Sequence, residues 1–272
     1  MAEILDAEGF LKERLDWIEE NKPLIHHITN FVVMNETANA TLCLGALPVM
    51  AHAIEEVEEM AAQAGALVIN MGTPYPDLET AMLAAGKAAN RVGVPVVFDP
   101  VGAGATAYRT RIARQLLDEV RFAAIRGNAA EMAVLAGVEA EIRGVDSIGV
   151  KGDVADIAAS LAASAGCVAA VTGEVDVVSD GKRTARVSNG HSLLGKVTGT
   201  GCMATTAIAV FLAPGEPYLE ATAAGLAVFG LAGEKAAGSS GRLPGSFHVE
   251  LYNTLYELSA MRKLKGIRIE LS

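Results

Sequence analysis

Cysteine and aromatic residues are scarce in this chain. Its 272 residues include three cysteines, Cys43, Cys167 and Cys202, which lie far apart and form no C-x-x-C pair. An odd number of widely spaced cysteines argues against a disulfide framework or a structural zinc site and favours a reducing compartment. Aromatic residues make up only 5% of the chain, whereas hydrophobic residues make up 51%. Aliphatic side chains must therefore build the core, which suits helices packed closely on a parallel sheet.

Positive charge is also scarce, since 22 lysines and arginines stand against 32 acidic residues and the net charge is −10. No basic cluster is longer than two residues, so we expect neither nucleic acid nor an anionic membrane as a partner. The run from Val197 to Gly215 carries no charge, but its threonines, glycines and Pro214 indicate a buried helix rather than a membrane span. The first twenty residues are acidic and unlike a secretory signal. We expect a cytoplasmic enzyme.

Short apolar runs alternate with longer segments of helical periodicity through most of the chain. This alternation predicts one α/β domain over residues 1–272, with a mostly parallel central sheet and helices on both faces. An Asp-Gly turn within Val175–Val187 predicts a β hairpin, and glycine and charge in Glu139–Asp153 indicate a flexible segment. The predicted strands are Leu24–Thr29, Ala66–Asn70, Val94–Asp99, Phe122–Ile125 and Cys167–Thr172. The predicted helices are Asn35–Leu44, Ile54–Gln63, Asp77–Arg91, Tyr108–Asp118, Asn128–Ala136, Val154–Ala165, Cys202–Ala213, Tyr218–Ala237 and Gly245–Met261.

The segment Lys196–Cys202 (KVTGTGC) begins a long uncharged helical pattern. Its glycines would let backbone N–H groups converge at a helix N-terminus, where the helix dipole favours a phosphoryl group. Cys202 would then point toward whatever reacts with that group. The alternative is an ordinary helix start, in which Thr200 is the N-cap and Cys202 packs in the core.

Polar side chains at the ends of other predicted strands favour the phosphoryl site. Asp99 could hold Mg²⁺ or its waters, although Asp before Pro also commonly begins a turn. Arg126 offers a fork of donors to phosphate, and Thr172 offers a hydroxyl. Asn128 and Glu131 fit a helix-capping box, and the same geometry turns Glu131 toward the mouth of the sheet, where it could share the cation with Asp99.

Ligands bind outside the carboxyl ends of parallel strands, so these residues are expected to converge. Metal, guanidinium and backbone dipoles together are what phosphoryl transfer requires. In the N-terminal third, Asn30, Val33 and Met50 could line a small, mostly apolar pocket, although such residues are more often simply core. The pattern therefore predicts a kinase that phosphorylates a small alcohol.

Two other glycine-rich matches are weaker. Gly190–Lys196 fits the start of a P-loop, but Val197 stands where Ser or Thr should ligate Mg²⁺. Gly102–Ala107 follows a predicted strand and fits a short dinucleotide-binding motif. However, no acidic residue ends the following strand, as that motif requires. An NADP-dependent oxidoreductase is therefore a weaker alternative.

Six segments, in the same order along the chain, resemble the hydroxyethylthiazole kinase family, ribokinase-like enzymes of thiamine biosynthesis and salvage. The resemblance implies a ribokinase-like fold and ATP- and Mg²⁺-dependent phosphorylation of 4-methyl-5-(2-hydroxyethyl)thiazole. It also implies a homotrimer with active sites between subunits. The matching segments are Pro23–Asn30 (PLIHHITN), Pro48–Met50 (PVM), Asp99–Gly104 (DPVGAG), Ile125–Glu131 (IRGNAAE), Val171–Asp176 (VTGEVD) and Lys196–Cys202 (KVTGTGC).

The resemblance also assigns roles by position. Ribokinase-like relatives usually carry Asp where Cys202 stands, and this family carries Cys. A thiol titrates near ~8.5, and a helix N-terminus can lower that pKa, so we expect Cys202 to be a weak or partly ionised base. The residues assigned in this way are Met50 and Gly199 for thiazole, Arg126 and Thr172 for ATP, Asp99 and Glu131 for magnesium, and Cys202 for the catalytic turn. Asn30, predicted above from its place in the chain, is expected to bind the substrate beside Met50.

Three further alternatives stay open from the sequence. A ribokinase-like kinase of another small alcohol, such as a hydroxymethylpyrimidine, would need a different pocket around Asn30 and Met50. An ATP-dependent lyase of the same fold, such as a repair dehydratase of hydrated nicotinamide cofactor, would turn over without an added alcohol. A non-catalytic sensor would bind nucleotide or thiazole without turnover.

Overall fold

The computed structural model describes residues 7–137, 140–143, 146–150 and 153–272, over which strands and helices alternate. A 3-10 helix, Ser192–Lys196, precedes the eighth α helix. The strands are β1 (Leu24–Ile28), β2 (Leu47–Val49), β3 (Ala66–Asn70), β4 (Val96–Asp99), β5 (Ala124–Asn128), β6 (Ala140–Arg143), β7 (Asp146–Val150), β8 (Val168–Thr172), β9 (Asp176–Ser179), β10 (Thr184–Val187) and β11 (Ile269–Leu271). The helices are α1 (Ala7–Asn21), α2 (Met34–Cys43), α3 (Val57–Gln63), α4 (Pro76–Val92), α5 (Ala107–Glu119), α6 (Ala129–Leu135), α7 (Val154–Ala165), α8 (Thr200–Leu212), α9 (Tyr218–Ser239) and α10 (Pro244–Ala260).

Within the described residues, nine strands form the central sheet in the order β11-β10-β9-β8-β5-β4-β3-β1-β2. The strands from β8 to β2 are parallel to one another. The predicted hairpin is present as β9 and β10, which extend the sheet in antiparallel fashion together with β11. The prediction of a mostly parallel sheet is therefore confirmed.

A second, two-stranded sheet lies in the segment that was expected to be flexible. Strands β6 and β7 pair with each other in antiparallel fashion. The prediction for Glu139–Asp153 missed both strands, because short strands with mixed charge give no clear alternation in the sequence. Residues 139, 144–145 and 151–152 lie outside the described part of the chain.

Two apolar layers cover the two faces of the central sheet. Successive side chains of a strand point to opposite faces, so each central strand contributes side chains to both layers. In β3, Ala66 and Val68 belong to the layer that includes residues of α1, α2, α8, α9 and α10, whereas Leu67 and Ile69 belong to the layer that includes residues of α3 to α7. This arrangement explains the continuous aliphatic strands and confirms the prediction of helices on both faces.

The uncharged run of the sequence forms α8, which is a core helix. Eleven of its 13 residues are buried, among them Met203, Ile208 and Phe211. The prediction of a buried helix is confirmed. No helix in the described part of the chain has the length and apolar character needed to cross a membrane.

Candidate active site

Polar residues end neighbouring strands and meet at one edge of the sheet. The strand register places Asn70 opposite Asp99 and Asn128 opposite Thr172. Parallel strands present their carboxyl ends on the same side, so the order β3-β4-β5-β8 gathers these side chains. The first two turns of α8 contribute residues to the same edge, because Cys202 and Thr205 contact side chains from β3 and β4.

Asp99 is buried completely, and its two carboxylate oxygens have different surroundings. Its Oδ2 accepts hydrogen bonds from Asn70 Nδ2 at 2.7 Å and from Thr205 Oγ1 at 3.0 Å. Its Oδ1 lies 3.9 Å from Arg126 Nη1 and has no hydrogen-bond partner among the described residues. Burial raises the pKa of Asp99 above its usual value, although Arg126 opposes that shift. One oxygen is fixed by neutral donors, and the other is left for a cation or water.

Arg126 connects three elements of the site. It belongs to β5, its Nη2 donates to Thr172 Oγ1 of β8 at 2.7 Å, and its Nη1 lies near Asp99. A Cβ atom at Gly201 would lie 2.8 Å from Nη1, so the guanidinium packs directly on the first turn of α8. The arrangement aims a positive, planar group at the place where the sequence predicts a phosphoryl group.

Glu131 has the capping role that the sequence predicts, and its carboxylate lies on the Asp99 side of the site. It forms a capping box with Asn128, whose side chain accepts from Glu131 N at 2.9 Å and whose backbone donates to Glu131 Oε2 at 2.9 Å. Glu131 Oε1 accepts from Gly102 N at 2.7 Å, which ties the loop after β4 to α6. Burial and the nearby charge of Asp99 raise the pKa of Glu131. The two carboxylates are thus close enough to interact.

The helix α8 begins differently from the capping alternative. Its N-cap is Gly199, with a φ of +84°, and Thr200 is the first helical residue. Thr200 Oγ1 donates to Leu194 O at 2.7 Å, so its hydroxyl holds the preceding 3-10 helix. The expectation that Thr200 is the N-cap is therefore wrong. Glycine is needed at position 199 because a left-handed φ strains other residues and because a Cβ would lie 3.0 Å from Val33 Cγ1.

Cys202 lies between the predicted phosphate and acceptor sides. Its Sγ accepts a hydrogen bond from Asn70 Nδ2 at 3.1 Å and lies 3.8 Å from Asn30 Nδ2. Burial, followed by the charge of Asp99, raises the pKa of Cys202 to about 12. The expected lowering of this pKa is therefore wrong, because desolvation and the neighbouring Asp99 carboxylate raise it more than Arg126 and the amide donors lower it. Cys202 is a neutral thiol at physiological pH.

Asn30 and Met50 lie at the carboxyl ends of neighbouring strands, β1 and β2. Asn30 is buried, and its Nδ2 donates to Asn70 Oδ1 at 2.8 Å. Met50 is half-buried, and the residue after it is held by His26, whose Nε2 lies 2.7 Å from Ala51 O. The structure thus brings Asn30 to Cys202, while Met50 lies at the adjacent strand end.

A cavity of about 870 Å³ opens beside Arg126 and Thr172, which both line it. One wall is apolar and contains Leu194, Leu226 and Phe229. This volume lies in the range of small-molecule and cofactor sites. Among the sequence-predicted site residues, the cavity brings together Arg126 and Thr172, whereas the other predicted residues do not line it.

Comparisons with known proteins match the chain over almost its whole length. The model of the hydroxyethylthiazole kinase family matches residues 15–261. The chain belongs to the hydroxyethylthiazole kinase family. It is 52% identical over 255 residues to the hydroxyethylthiazole kinase of Desulfatibacillum aliphaticivorans, which covers 94% of this chain and 95% of that protein. The chain is therefore a kinase, and the kinase family implies ATP as its co-substrate.

Solved structures agree with the family and with the fold. The hydroxyethylthiazole kinase protein from Pyrococcus horikoshii OT3 has a TM-score of 0.86 and 43% identity, covering 97% of this chain and 99% of that chain. A ribokinase-like superfamily protein from Enterococcus faecalis V583 has a TM-score of 0.67 at 13% identity, covering 92% and 94%. The second likeness concerns the fold alone. The expected ribokinase-like fold is confirmed.

Sequence reasoning missed three residues that hold the site of this hydroxyethylthiazole kinase family member together. Asn70 could have been found, because it ends a buried strand as Asp99 does. Thr205 could have been found from its spacing, because it lies one helical turn after Gly201. Arg109 gave no signal; its guanidinium donates to the carbonyl oxygens of Met71, Gly72 and Val101, at 3.0, 2.8 and 2.7 Å, and so joins the loops after β3 and β4.

Proposed function

We propose that this chain transfers the γ-phosphoryl group of ATP to the hydroxyl group of 4-methyl-5-(2-hydroxyethyl)thiazole, with Mg²⁺. The observation that supports it most is the position of Arg126, between Asp99, Thr172 and the first turn of α8. Family membership supplies the identity of the acceptor.

The nucleotide would lie in the cavity of about 870 Å³. Its adenine ring would pack on the apolar wall of Leu194, Leu226 and Phe229. Its phosphates would reach Arg126 and Thr172, which already hydrogen-bond each other at 2.7 Å. The backbone N–H groups at the start of α8 would hold the transferring group, because a helix N-terminus favours negative charge.

The residues at the carboxyl ends of β4 and β5 fit a magnesium ion. Asp99 Oδ1 is buried and has no hydrogen-bond partner in the part of the chain that the structure describes, so an oxygen ligand is available. Glu131 carries a second carboxylate close to it. Mg²⁺ is usually held by one or two carboxylates, phosphates and retained waters, so a larger protein cluster is not required. Bound there, the ion would neutralise charge on the phosphates.

The acceptor would lie on the other side of Cys202, against Asn30, Met50 and Gly199. A small aromatic ring would pack on the thioether of Met50, and Asn30 would supply a polar anchor. Gly199 would form the floor of this pocket. Because a Cβ at position 199 would lie 3.0 Å from Val33 Cγ1, no larger residue fits there. The hydroxyl group would then lie beside Cys202 Sγ, in line with the γ-phosphoryl group.

Cys202 would position the alcohol rather than remove its proton early. A thiol with a pKa of about 12 is not ionised at neutral pH. The transition state of phosphoryl transfer is largely loose, so the alcohol proton would leave late and could pass to an oxygen of the transferred phosphoryl group without a strong base. Most of the rate enhancement would come from alignment and from the positive groups around the transferring oxygens.

We also propose the assembly that the family resemblance implies, a homotrimer with active sites between subunits. Apolar side chains flank the acceptor side and are exposed in the single chain: Phe31 is 63% exposed, Val32 56% and Leu47 45%. An apolar surface next to a small-molecule pocket suits a subunit contact that completes the pocket. Light scattering after size exclusion would test the trimer. A single domain over residues 1–272 and a cytoplasmic location are further parts of the proposal.

The reaction is tested by incubating the purified protein with ATP, Mg²⁺ and hydroxyethylthiazole. Mass spectrometry should detect thiazole monophosphate and ADP in equal amounts. Hydroxymethylpyrimidine serves as the comparison acceptor. Phosphorylation of hydroxymethylpyrimidine but not of hydroxyethylthiazole would make hydroxymethylpyrimidine the assigned acceptor. ADP formed without any phosphorylated alcohol would favour the lyase alternative.

A further inference from the structure

Asn70 has the most complete set of contacts at the site. It is the last residue of β3, and only 1% of its surface is exposed. Its Nδ2 donates to Asp99 Oδ2 at 2.7 Å and to Cys202 Sγ at 3.1 Å. Its Oδ1 accepts from Asn30 Nδ2 at 2.8 Å and from Gly72 N at 3.0 Å. Both amide hydrogens and both oxygen lone pairs are thus used.

These partners permit only one orientation of the Asn70 amide. A backbone N–H can only donate, so the side facing Gly72 must be the oxygen. An ionised carboxylate can only accept, so the side facing Asp99 must be the nitrogen. The second hydrogen on that nitrogen then points to Cys202. The sulfur is consequently a hydrogen-bond acceptor from Asn70, and its own hydrogen is directed elsewhere.

Asn70 also connects the two halves of the reaction. Asn30 belongs to the acceptor side, and Asp99 belongs to the phosphate side; Asn70 hydrogen-bonds both, with Cys202 between them. Gly72 keeps this packing possible, because a Cβ there would lie 2.7 Å from Asn30 Cγ. A displacement of Asn70 would therefore move the thiol relative to the carboxylate.

We propose that Asn70 is a positioning residue for phosphoryl transfer, which fixes the Cys202 thiol between the acceptor hydroxyl and the phosphate side. Its effect on the rate runs through Cys202, and only secondarily through Asp99. The proposal rests on the proposed function for the identity of the reaction. It concerns the rate of transfer and not the binding of either substrate, because Asn70 itself is fully occupied by protein groups.

Thr205 provides a matched control. Its hydroxyl donates to the same oxygen of Asp99, at 3.0 Å, and no hydrogen bond joins it to the Cys202 side chain among the described residues. Thr205→Val therefore removes one donor to Asp99 at almost constant volume. Asn70→Ala removes a donor to Asp99 together with the donor to Cys202. Asn70→Ala also removes the acceptor of Asn30 and Gly72, so Thr205→Val controls for the lost donor to Asp99, and the contact with the thiol is isolated by combining each change with Cys202→Ala.

The experiment is a double-mutant cycle on kcat with hydroxyethylthiazole as acceptor. Asn70→Ala should lower kcat about tenfold, with both KM values within about twofold, as expected for loss of a buried positioning hydrogen bond. In a Cys202→Ala background, the same change should lower kcat by no more than about twofold. Thr205→Val should have the same effect in both backgrounds. Thermal melting of each variant tests folding. If Asn70→Ala does not fold, Asn70→Ser replaces it, because a serine side chain is too short to reach both Asp99 and Cys202.

Three results would overturn the proposal. These are an unchanged kcat in Asn70→Ala, a loss of equal size with and without Cys202, and a loss that appears in KM instead of kcat. A wild-type protein that forms no thiazole phosphate would instead overturn the proposed function, and this inference with it. The assay of the wild-type protein therefore distinguishes a failure of the proposed function from a failure of the role proposed for Asn70.

Discussion

Gly201→Ala should weaken ATP binding without weakening the fold. Gly201 is the second residue of α8 and lines the cavity beside Arg126. An added Cβ would lie 2.8 Å from Arg126 Nη1 and 3.2 Å from Nη2. Ordinary contacts begin near 3.4 Å. The guanidinium must therefore move by about half an ångström or more from the position in which it donates to Thr172 and faces the predicted phosphate.

The size of the effect follows from the bond that is disturbed. Arg126 Nη2 donates to Thr172 Oγ1 at 2.7 Å, and the same side chain is proposed to meet a phosphate. Hydrogen bonds to charged groups contribute about 1.5 to 3 kcal/mol, and about 1.4 kcal/mol corresponds to a factor of ten. We therefore expect the KM for ATP to rise about tenfold or more. Alanine has the higher helix propensity, so the melting temperature should stay constant or rise slightly.

Steady-state kinetics with varied ATP, together with thermal melting, checks this prediction. Gly195→Ala is the matched control, because Gly195 lines the same cavity and an added Cβ there would meet no atom within 4 Å. The control should keep the wild-type KM within about twofold, a difference of about 0.4 kcal/mol. A wild-type KM for ATP in Gly201→Ala would refute the reasoning, since it would mean that Arg126 does not meet the nucleotide.

Three further predictions concern the carboxylate, the thiol and a buried histidine. Asp99→Asn should raise the Mg²⁺ concentration needed for half-maximal activity, and an unchanged metal titration would place the cation elsewhere. Cys202→Asp should keep or improve turnover, whereas Cys202→Ala should slow turnover with an unaltered KM for ATP. If Cys202→Ala lost ATP affinity by the same factor as turnover, Cys202 would not have the proposed role of positioning the alcohol. Burial lowers the pKa of His27 to about 3, below the ~6.5 of a histidine in an unfolded chain. Below pH ~6.5 the unfolded state therefore binds a proton that the folded state does not, and the free energy of unfolding should fall as the pH falls. Melting temperatures measured between pH 7 and 4 should show that fall, and His27→Gln should flatten it; parallel curves would remove His27 as the cause.

Much of the fold could be predicted because its strands are buried on both faces. Continuous aliphatic runs such as Ala66–Asn70 are recognisable without any alternation, and polar residues mark where the strands end. The order of the strands in the sheet could not be predicted from the sequence. β8 lies beside β5, although two short strands and two helices separate them in the sequence. Such long-range pairing depends on packing that local patterns do not contain.

The candidate site could be predicted as a set of residue types but not as a network. Asp99, Arg126 and Thr172 stood out because each ends a strand with a charge or a hydroxyl group. Their hydrogen-bond partners did not stand out, because Asn70 and Thr205 are common residues in a strand and a helix. The pKa of Cys202 was predicted in the wrong direction for the same reason: the helix start was visible in the sequence, but the depth of burial and the adjacent Asp99 were not.

The raised pKa of Cys202 is compatible with a kinase because the surrounding charges serve the phosphoryl group rather than the proton. A thiolate beside Asp99 would place a second negative charge where the transferred group must pass. A neutral thiol avoids that repulsion and leaves Arg126, the helix N-terminus and a cation unopposed. An aspartate at the same position would act as a base but would add that repulsion. The outcome of Cys202→Asp therefore measures which of the two effects is larger in this site.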